Sequence, residues 1–552
     1  MRPHSWPLAF VAAGVLMLSA VEVGLRVLER TGLVAAPRAA ESYPANPKRY
    51  IKIAVFGESP VAGFGTTRTF VDILRHELRN RHPNKLFFIK NYGINGGPFH
   101  GYQAPLIKRL LGHYDYILIY SGMNEHAPYI DDQGRFRLAA QKKNYDFGLS
   151  FTMDEWHEAL ITKSHVYARL RKWRYKNLAP PQPLFIVNRQ QIIPAEIQPP
   201  LVPALIEERM INDFGADINA VASLAQKSGK YILAAGAILD DTWRPFVSTQ
   251  RPGLSVPQRD RFRALLAQGT ARLVQGDYRK ALAILRRASS IDPDVAILNY
   301  RIGQAHWANG EHDAAHVFFI KSIVQDGLPL RYAARLNLLT KAAATRGGYF
   351  RYLDTTPGLN SLVDRGFGYR KFFSDMEHPN LMGHAFLAQN FLCALEELPP
   401  LGPAQRHDCL DWRTADPQAL AMRYHRELGV TKDEESEVAW AEAAWHYRMR
   451  SLSAYPQDFL AMAEARLQDY RAAASAKPES EVKFLFGEAL IEAARNRSSR
   501  RVVGLLNEAL HVQPEYVVSQ WITDMGNGET TGHLLESLGI TYNITTRSFQ
   551  RL

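Results

Sequence analysis

The run Ile51-Lys52-Ile53-Ala54-Val55-Phe56-Gly57-Glu58-Ser59 decides the fold, because a β-branched and aromatic stretch ends there in a glycine turn. A parallel strand feeding a helix has this composition. A helix over about Phe70 to Arg79 follows. Similar strand-like runs recur at Leu86 to Lys90, Tyr114 to Tyr120, Tyr231 to Ala235 and Tyr349 to Asp354, separated mostly by helical patterns. The alternation predicts an α/β fold: a five-stranded parallel sheet with helices on both faces, in three layers.

Two connections are far longer than a crossover needs. Between the third and fourth strands lie aromatic residues, the basic stretch Arg169, Arg171, Lys172, Arg174 and Lys176, and the proline-rich stretch Ala179 to Pro203. We read it as an irregular lid or platform, and the basic stretch as a solvated helix face before a contact for anionic headgroups or an acidic polymer. Between the fourth and fifth strands, Gly269, Gly276, Ala281 and Ala288 recur thirty-four residues later as Gly303, Gly310, Ala315 and Ser322. That period is the tetratricopeptide one. Small residues at these positions let paired helices approach closely, with Leu285 and Phe319 filling the contact. From about Thr414 the chain reads as helices again, with one more divergent repeat. Structural packing is the first role expected of these helices, and peptide binding the second.

The chain of 552 residues exceeds one ordinary core, and its apolar share is that of a folded protein. The formal charge of +11 comes with no zinc-finger, RNP-like or recognition-helix pattern, so no nucleic-acid partner is expected. Cys393 and Cys409 are the only cysteines, which excludes a disulfide framework or a thiolate-rich zinc site. They either pair in an oxidising compartment or remain two buried thiols. His82, His100, His113, His126 and His384 have no ligand-set spacing, so neither metal nor cofactor is expected.

From Trp6 to Val23 the sequence is apolar apart from Ser19 and Glu22, long enough to cross a bilayer. A signal-anchor over 1–30 is the preferred reading, with a cleaved signal peptide second and a buried helix third. The charges flanking it do not support an exported orientation. The expected organisation is an anchor at 1–30, a tether at 31–49, an α/β domain at 50–254 and 346–400, a helical insertion at 255–345, and a helical region at 401–552.

The loops leaving the strand ends carry the polar residues, where ligands bind in such sheets. Ser59 sits on a tight turn at a helix start, with hydroxyl and N–H able to face a substrate. Asn91-Tyr92-Gly93-Ile94-Asn95-Gly96-Gly97 offers amides free of side chains. In Ser121-Gly122-Met123-Asn124-Glu125 the asparagine can donate from its NH₂. Asp375-Met376-Glu377-His378-Pro379 sets a carboxylate three residues before a histidine, so that Asp375 can orient a ring whose other nitrogen faces the serine.

In these four blocks and their order the chain resembles the SGNH hydrolases, also called GDSL-like esterases and lipases, over Ile51 to about Leu395 with the repeat insertion excluded. The resemblance implies the flavodoxin-like three-layer sandwich of that family, with Ser59 as nucleophile, His378 as base and Asp375 as its partner. It implies an oxyanion hole from the Ser59 amide, the Gly96 amide and the Asn124 side chain. Gly96 is taken over Gly93 and Gly97 because it aligns with the family glycine after the Gly-x-x step. The chain departs from the pattern at Glu58, where the family has aspartate, at Pro60 in place of leucine, and at Glu125 after the asparagine.

The function expected from this likeness is a serine esterase or acyltransferase acting on an acyl ester or acetylated carbohydrate of the cell envelope or of exported polysaccharide. A lipid or aryl esterase is the alternative within enzymes. The expected place is the inner membrane, with a single span and the catalytic domain periplasmic. The competing class is a catalytically idle assembly factor whose repeats bind a protein partner.

Overall fold

The computed structural model describes residues 49–129, 204–327, 333–344, 348–364, 369–402, 409–450, 456–474, 477–495, 499–513, 540–543 and 548–551, positions 239 and 241 excepted. The expected anchor over 1–30, almost all of the tether and the basic and proline-rich stretches fall outside them. Among the described residues no helix is long and apolar enough to cross a membrane.

The first half of the sheet runs β1 (Tyr50–Gly57), a one-turn α1 (Ser59–Ala62), α2 (Phe70–Arg81), β2 (Leu86–Gly93), α3 (Ala104–Leu110) and β3 (Tyr116–Tyr120). Thr69 starts α2 through a capping box with Asp72, each side chain accepting from the other's backbone N–H. After α4 (Ala204–Ser228) comes β4 (Tyr231–Ala235). The five strands lie parallel in the order β2-β1-β3-β4-β5, where β5 is Phe350–Leu353.

Alternation along β1 explains the layers. Ile53 and Val55 join the core shared with α2 residues Phe70, Ile73 and Leu74, while Ala54 and Phe56 join Leu106 and Ile107 of α3 and Phe214 and Ile218 of α4. Both faces are covered, so the strand reads as a continuous apolar run. The third strand starts two residues later than its sequence run, at Tyr116. Asp115 makes the contact before it, donating its N–H to the Lys52 carbonyl and accepting the Lys52 N–H on its side chain.

Between β4 and β5 lie α5 (Val256–Val274), α6 (Tyr278–Ser289), α7 (Ala296–Ala308), α8 (His312–Val324) and α9 (Ala333–Ala344). The repeat works as its small residues suggest. A Cβ at Gly269 would stand 2.5 Å from Leu285, and one at Gly303 2.7 Å from Phe319, so only glycine admits the facing side chain at each helix pair. Asp326, just past α8, accepts the backbone N–H groups of Phe246 and Val247 and ties the helices back to the segment after β4.

Beyond β5 come α10 (Thr356–Asp364) and α11 (Leu381–Glu396), whose Phe386, Leu387, Phe391 and Leu395 belong to the first core. Cys393 of α11 is joined to Cys409, which decides between the two states that the sequence left open. α12 (Pro417–Glu427) lies on α11, and α13 (Lys432–Met449), α14 (Pro456–Ala473), α15 (Pro478–Ala494) and α16 (Ser499–Val512) form a bundle with its own apolar centre, including Trp440, Tyr447, Leu467, Phe486, Leu490 and Leu506. A short antiparallel pair, β6 (Ile540–Asn543) and β7 (Ser548–Arg551), follows.

Candidate active site

Ser59 stands at the carboxyl end of β1 as the first residue of α1, where a backbone N–H has no partner within the helix. Its Oγ lies 2.7 Å from His378 Nε2, and His378 Nδ1 lies 2.6 Å from Asp375 Oδ2. Residues 319 positions apart are thus linked in one hydrogen-bonded chain. The turn that carries the pair is closed by the Ser374 N–H donating to the His378 carbonyl, and Asn380 then caps α11 by accepting from Met382 and Gly383. Asp375 Oδ1 meanwhile accepts the N–H groups of Glu377 and His378, which fixes the carboxylate.

Burial disfavours charge on both partners, but their mutual attraction outweighs it. His378 is held above the ordinary histidine range and Asp375 below the ordinary carboxylate range, each chiefly by the other's charge and their hydrogen bond. Ser59 keeps 9% of its surface exposed, against 3% for His378.

Glu58 is fully buried and joins the Ser59 turn to the loop after β3. Its carboxyl accepts from Ser121 Oγ (2.7 Å), the N–H groups of Gly122 (2.7 Å) and Met123 (3.0 Å), and Asn124 Nδ2 (2.6 Å). Burial outweighs the pull of those four donors and holds this carboxyl above its ordinary value. Both oxygens face donors, which is the bonding pattern of a carboxylate. Asn124 therefore spends one amide hydrogen on Glu58 and keeps the second for another acceptor.

Glu125 performs a similar task one loop away, accepting from the N–H groups of Phe99 (2.6 Å) and His100 (3.0 Å). Its pKa is pushed up to about 8, by burial first and by Glu58 second. Gly96 lies on the turn after β2 at φ +69°, a conformation that favours glycine, and a Cβ there would meet nothing within 4 Å. That turn is tied to the end of β1 by the Ile94 N–H, which donates to the Gly57 carbonyl (3.1 Å).

The structure brings Ser59, His378 and Asp375 into direct contact, links Asn124 to them through Glu58, and leaves Gly96 on an open turn beside β1, which ends at Gly57 two residues before Ser59. Sequence reasoning treated Glu58 as a departure from a pattern and missed its bonds. It also missed α13. His446 Nε2 donates to the Ser374 carbonyl (3.1 Å), Met449 shares a small core with Met376 and Phe459, and Trp445 lies against His378. Burial lowers the His446 pKa to about 4, so its ring is neutral near pH 7. No periodicity in the helix marks these residues, because its other side chains serve the C-terminal bundle. Among the described residues no group of His, Cys, Asp and Glu could hold a metal ion.

Residues 273–329 match the tetratricopeptide-repeat family model, a span that covers α6 to α8. An α/β hydrolase enzyme from the metagenome of Lake Arreo, Spain, aligns with 64% of this chain and 95% of its own at 11% identity, with a TM-score of 0.25. No curated protein matches the chain.

Proposed function

We propose that the protein is an SGNH-type serine hydrolase that cleaves or transfers an acyl group carried as an ester. The single observation that carries this reading is the hydrogen-bonded chain from Ser59 Oγ through His378 to Asp375 at the carboxyl rim of a parallel sheet. The Ser59 hydroxyl is a weak nucleophile until His378 Nε2 takes its proton during attack on the ester carbonyl. The C=O electron pair moves onto oxygen, and the Ser59 and Gly96 N–H groups with the free Asn124 hydrogen are the donors assigned to it. Losing one such donor typically costs about 2.7–4 kcal/mol of transition-state stabilisation. As the carbonyl re-forms, the alcohol departs with the proton from His378 and leaves an acyl-serine. Water completes hydrolysis, whereas a sugar hydroxyl in the same place completes acyl transfer.

The substrate proposed is an acylated carbohydrate of the cell envelope or of exported polysaccharide. An extracytoplasmic setting is favoured by the Cys393–Cys409 disulfide, since such bonds persist in oxidising compartments. The 1–30 segment is the proposed anchor. A reporter fused after Pro47 should be active only outside the cytoplasm, and activity inside would reverse the topology.

A fluorophosphonate probe should label Ser59 of the full chain; absence of labelling would instead favour the idle scaffold that the repeat match at 273–329 also suits. Only neutral His378 can accept the serine proton. Because its pKa lies above the ordinary 6.5, kcat/KM for a short-chain ester should rise with pH along a limb centred above that value. A limb centred below 6 would contradict the ion-paired histidine.

A further inference from the structure

Gln103 directly precedes α3 and is fully buried, yet its side chain makes no cap bond to that helix. It turns instead toward the sheet edge, where Nε2 donates to the Gly97 carbonyl (2.9 Å) and to Ser121 Oγ (3.0 Å). Ser121 Oγ gives its own hydrogen to Glu58 (2.7 Å), so toward Gln103 it can only accept. A carbonyl on one side and a committed hydroxyl on the other both demand a donor, which sets the NH₂ group, and not the amide oxygen, against them. Oε1 is shielded and accepts from nothing among the described residues, so the two N–H bonds are what orients the amide.

Those two bonds join the loops that carry two of the donors assigned to the developing oxyanion. The turn after β2 is anchored at Ile94, whose N–H donates to the Gly57 carbonyl, and closed by the Gly97 N–H, which donates to the Ile94 carbonyl (both 3.1 Å). Gly96 lies inside that turn, and the space where a Cβ would stand is open, so its direction is set by the hydrogen bonds on either side and not by packing. Gln103 supplies the hold on the Gly97 side. Its other bond reaches Ser121, and through Ser121 Oγ the Glu58 carboxyl that also accepts from Asn124 Nδ2 (2.6 Å). Gln103 is itself steadied from the loop after β3, because Glu125 accepts the N–H groups of Phe99 and His100 at the head of the same segment.

We propose that Gln103 is a positioning residue for the oxyanion hole: by bridging the Gly97 carbonyl and Ser121 Oγ, it fixes the Gly96 N–H relative to Asn124 so that both meet one developing charge. The inference rests on the hydrolase reading, with Ser59 as nucleophile. A donor set out of place is felt once charge has built up on the carbonyl oxygen, and hardly at all by the bound ester. The loss therefore falls on kcat and leaves KM near its parental value.

The test is hydrolysis of p-nitrophenyl acetate by full-length Gln103→Met and Gln103→Leu, which fill the site with apolar atoms and delete the NH₂. Turnover is counted per serine that a fluorophosphonate finally labels, so unfolded molecules do not enter. In both variants kcat should fall by about tenfold to a hundredfold with KM within about twofold of the parent. The rate constant of labelling should fall with it, since the phosphonyl oxygen occupies the same hole. The midpoint of the kcat/KM pH limb should stay in place, because neither change touches His378 or Asp375. Parental kcat and labelling rate in both variants, or a loss carried by KM alone, removes the Gln103 role and keeps the esterase. An unsubstituted protein that neither labels nor turns over the ester removes the hydrolase reading, and this role with it.

Discussion

Ser59→Ala is expected to lower turnover of a short-chain aryl ester by about 10⁴-fold or more, because no other group on the β1 turn can form the acyl intermediate. His378→Ala should do the same. The two losses should not add, since Ser59 Oγ and His378 Nε2, 2.7 Å apart, act on a single proton. Asp375→Asn is a sharper probe. Asp375 Oδ2 faces His378 Nδ1 while Oδ1 accepts two backbone N–H groups, so an amide placed there must set its own NH₂ against a donor or reverse the histidine tautomer. A loss of about 10⁴-fold is expected for that change too. Steady-state kinetics on purified full-length variants, with melting curves matched to the parent, decide the matter; near-parental turnover by Ser59→Ala would sink the nucleophile assignment.

The largest stability effect is expected at Glu58. Glu58→Ala removes the acceptor for Ser121 Oγ, the Gly122 and Met123 N–H groups and Asn124 Nδ2 from a buried corner. Stranded buried donors cost roughly 1–3 kcal/mol each in unfavourable cases, so with more than one of the four left unpaired a loss of about 3–5 kcal/mol is expected. For a chain of this size that corresponds to a melting temperature lower by roughly 3–4 °C. Activity should fall with it, because Asn124 loses the bond that aims its amide. Glu58→Asp keeps the charge but shortens the reach by one methylene, so an intermediate melting temperature and partial turnover are expected. Calorimetry and ester kinetics on the same preparations test this, and Glu58→Ala within about 2 °C of the parent would show that the corner is not held by the carboxylate.

Much of this was readable in the residues. The Ile51–Phe56 run announced a strand buried on both faces, and the glycines at 269 and 303 announced helix pairs in close contact, because each pattern follows from local sterics. The order of the serine, asparagine and Asp-x-x-His blocks pointed to loops at one sheet edge, since parallel topology brings strand ends together wherever the intervening chain goes. Glu58 was visible only as one methylene too many; that its extra length meets four donors depends on where the loop after β3 turns. Trp445 was invisible. It sits 386 positions from Ser59 on a helix whose composition describes a different core, and nothing local records that one edge of that helix leaves the bundle.

That long reach has a bearing on when the protein can act. A ribosome releases Ser59, Asn124 and His378 well before it reaches Trp445, and chains form their domains broadly in the order of synthesis. Until α13 arrives, the imidazole lacks one wall, and the turn from Ser374 to His378 lacks the His446 bond that steadies its carbonyl. A nascent or truncated chain would therefore hold its reacting atoms in an unfinished cleft. Readiness would come only once α13 has been made, as a form of timing written into the connectivity of the fold.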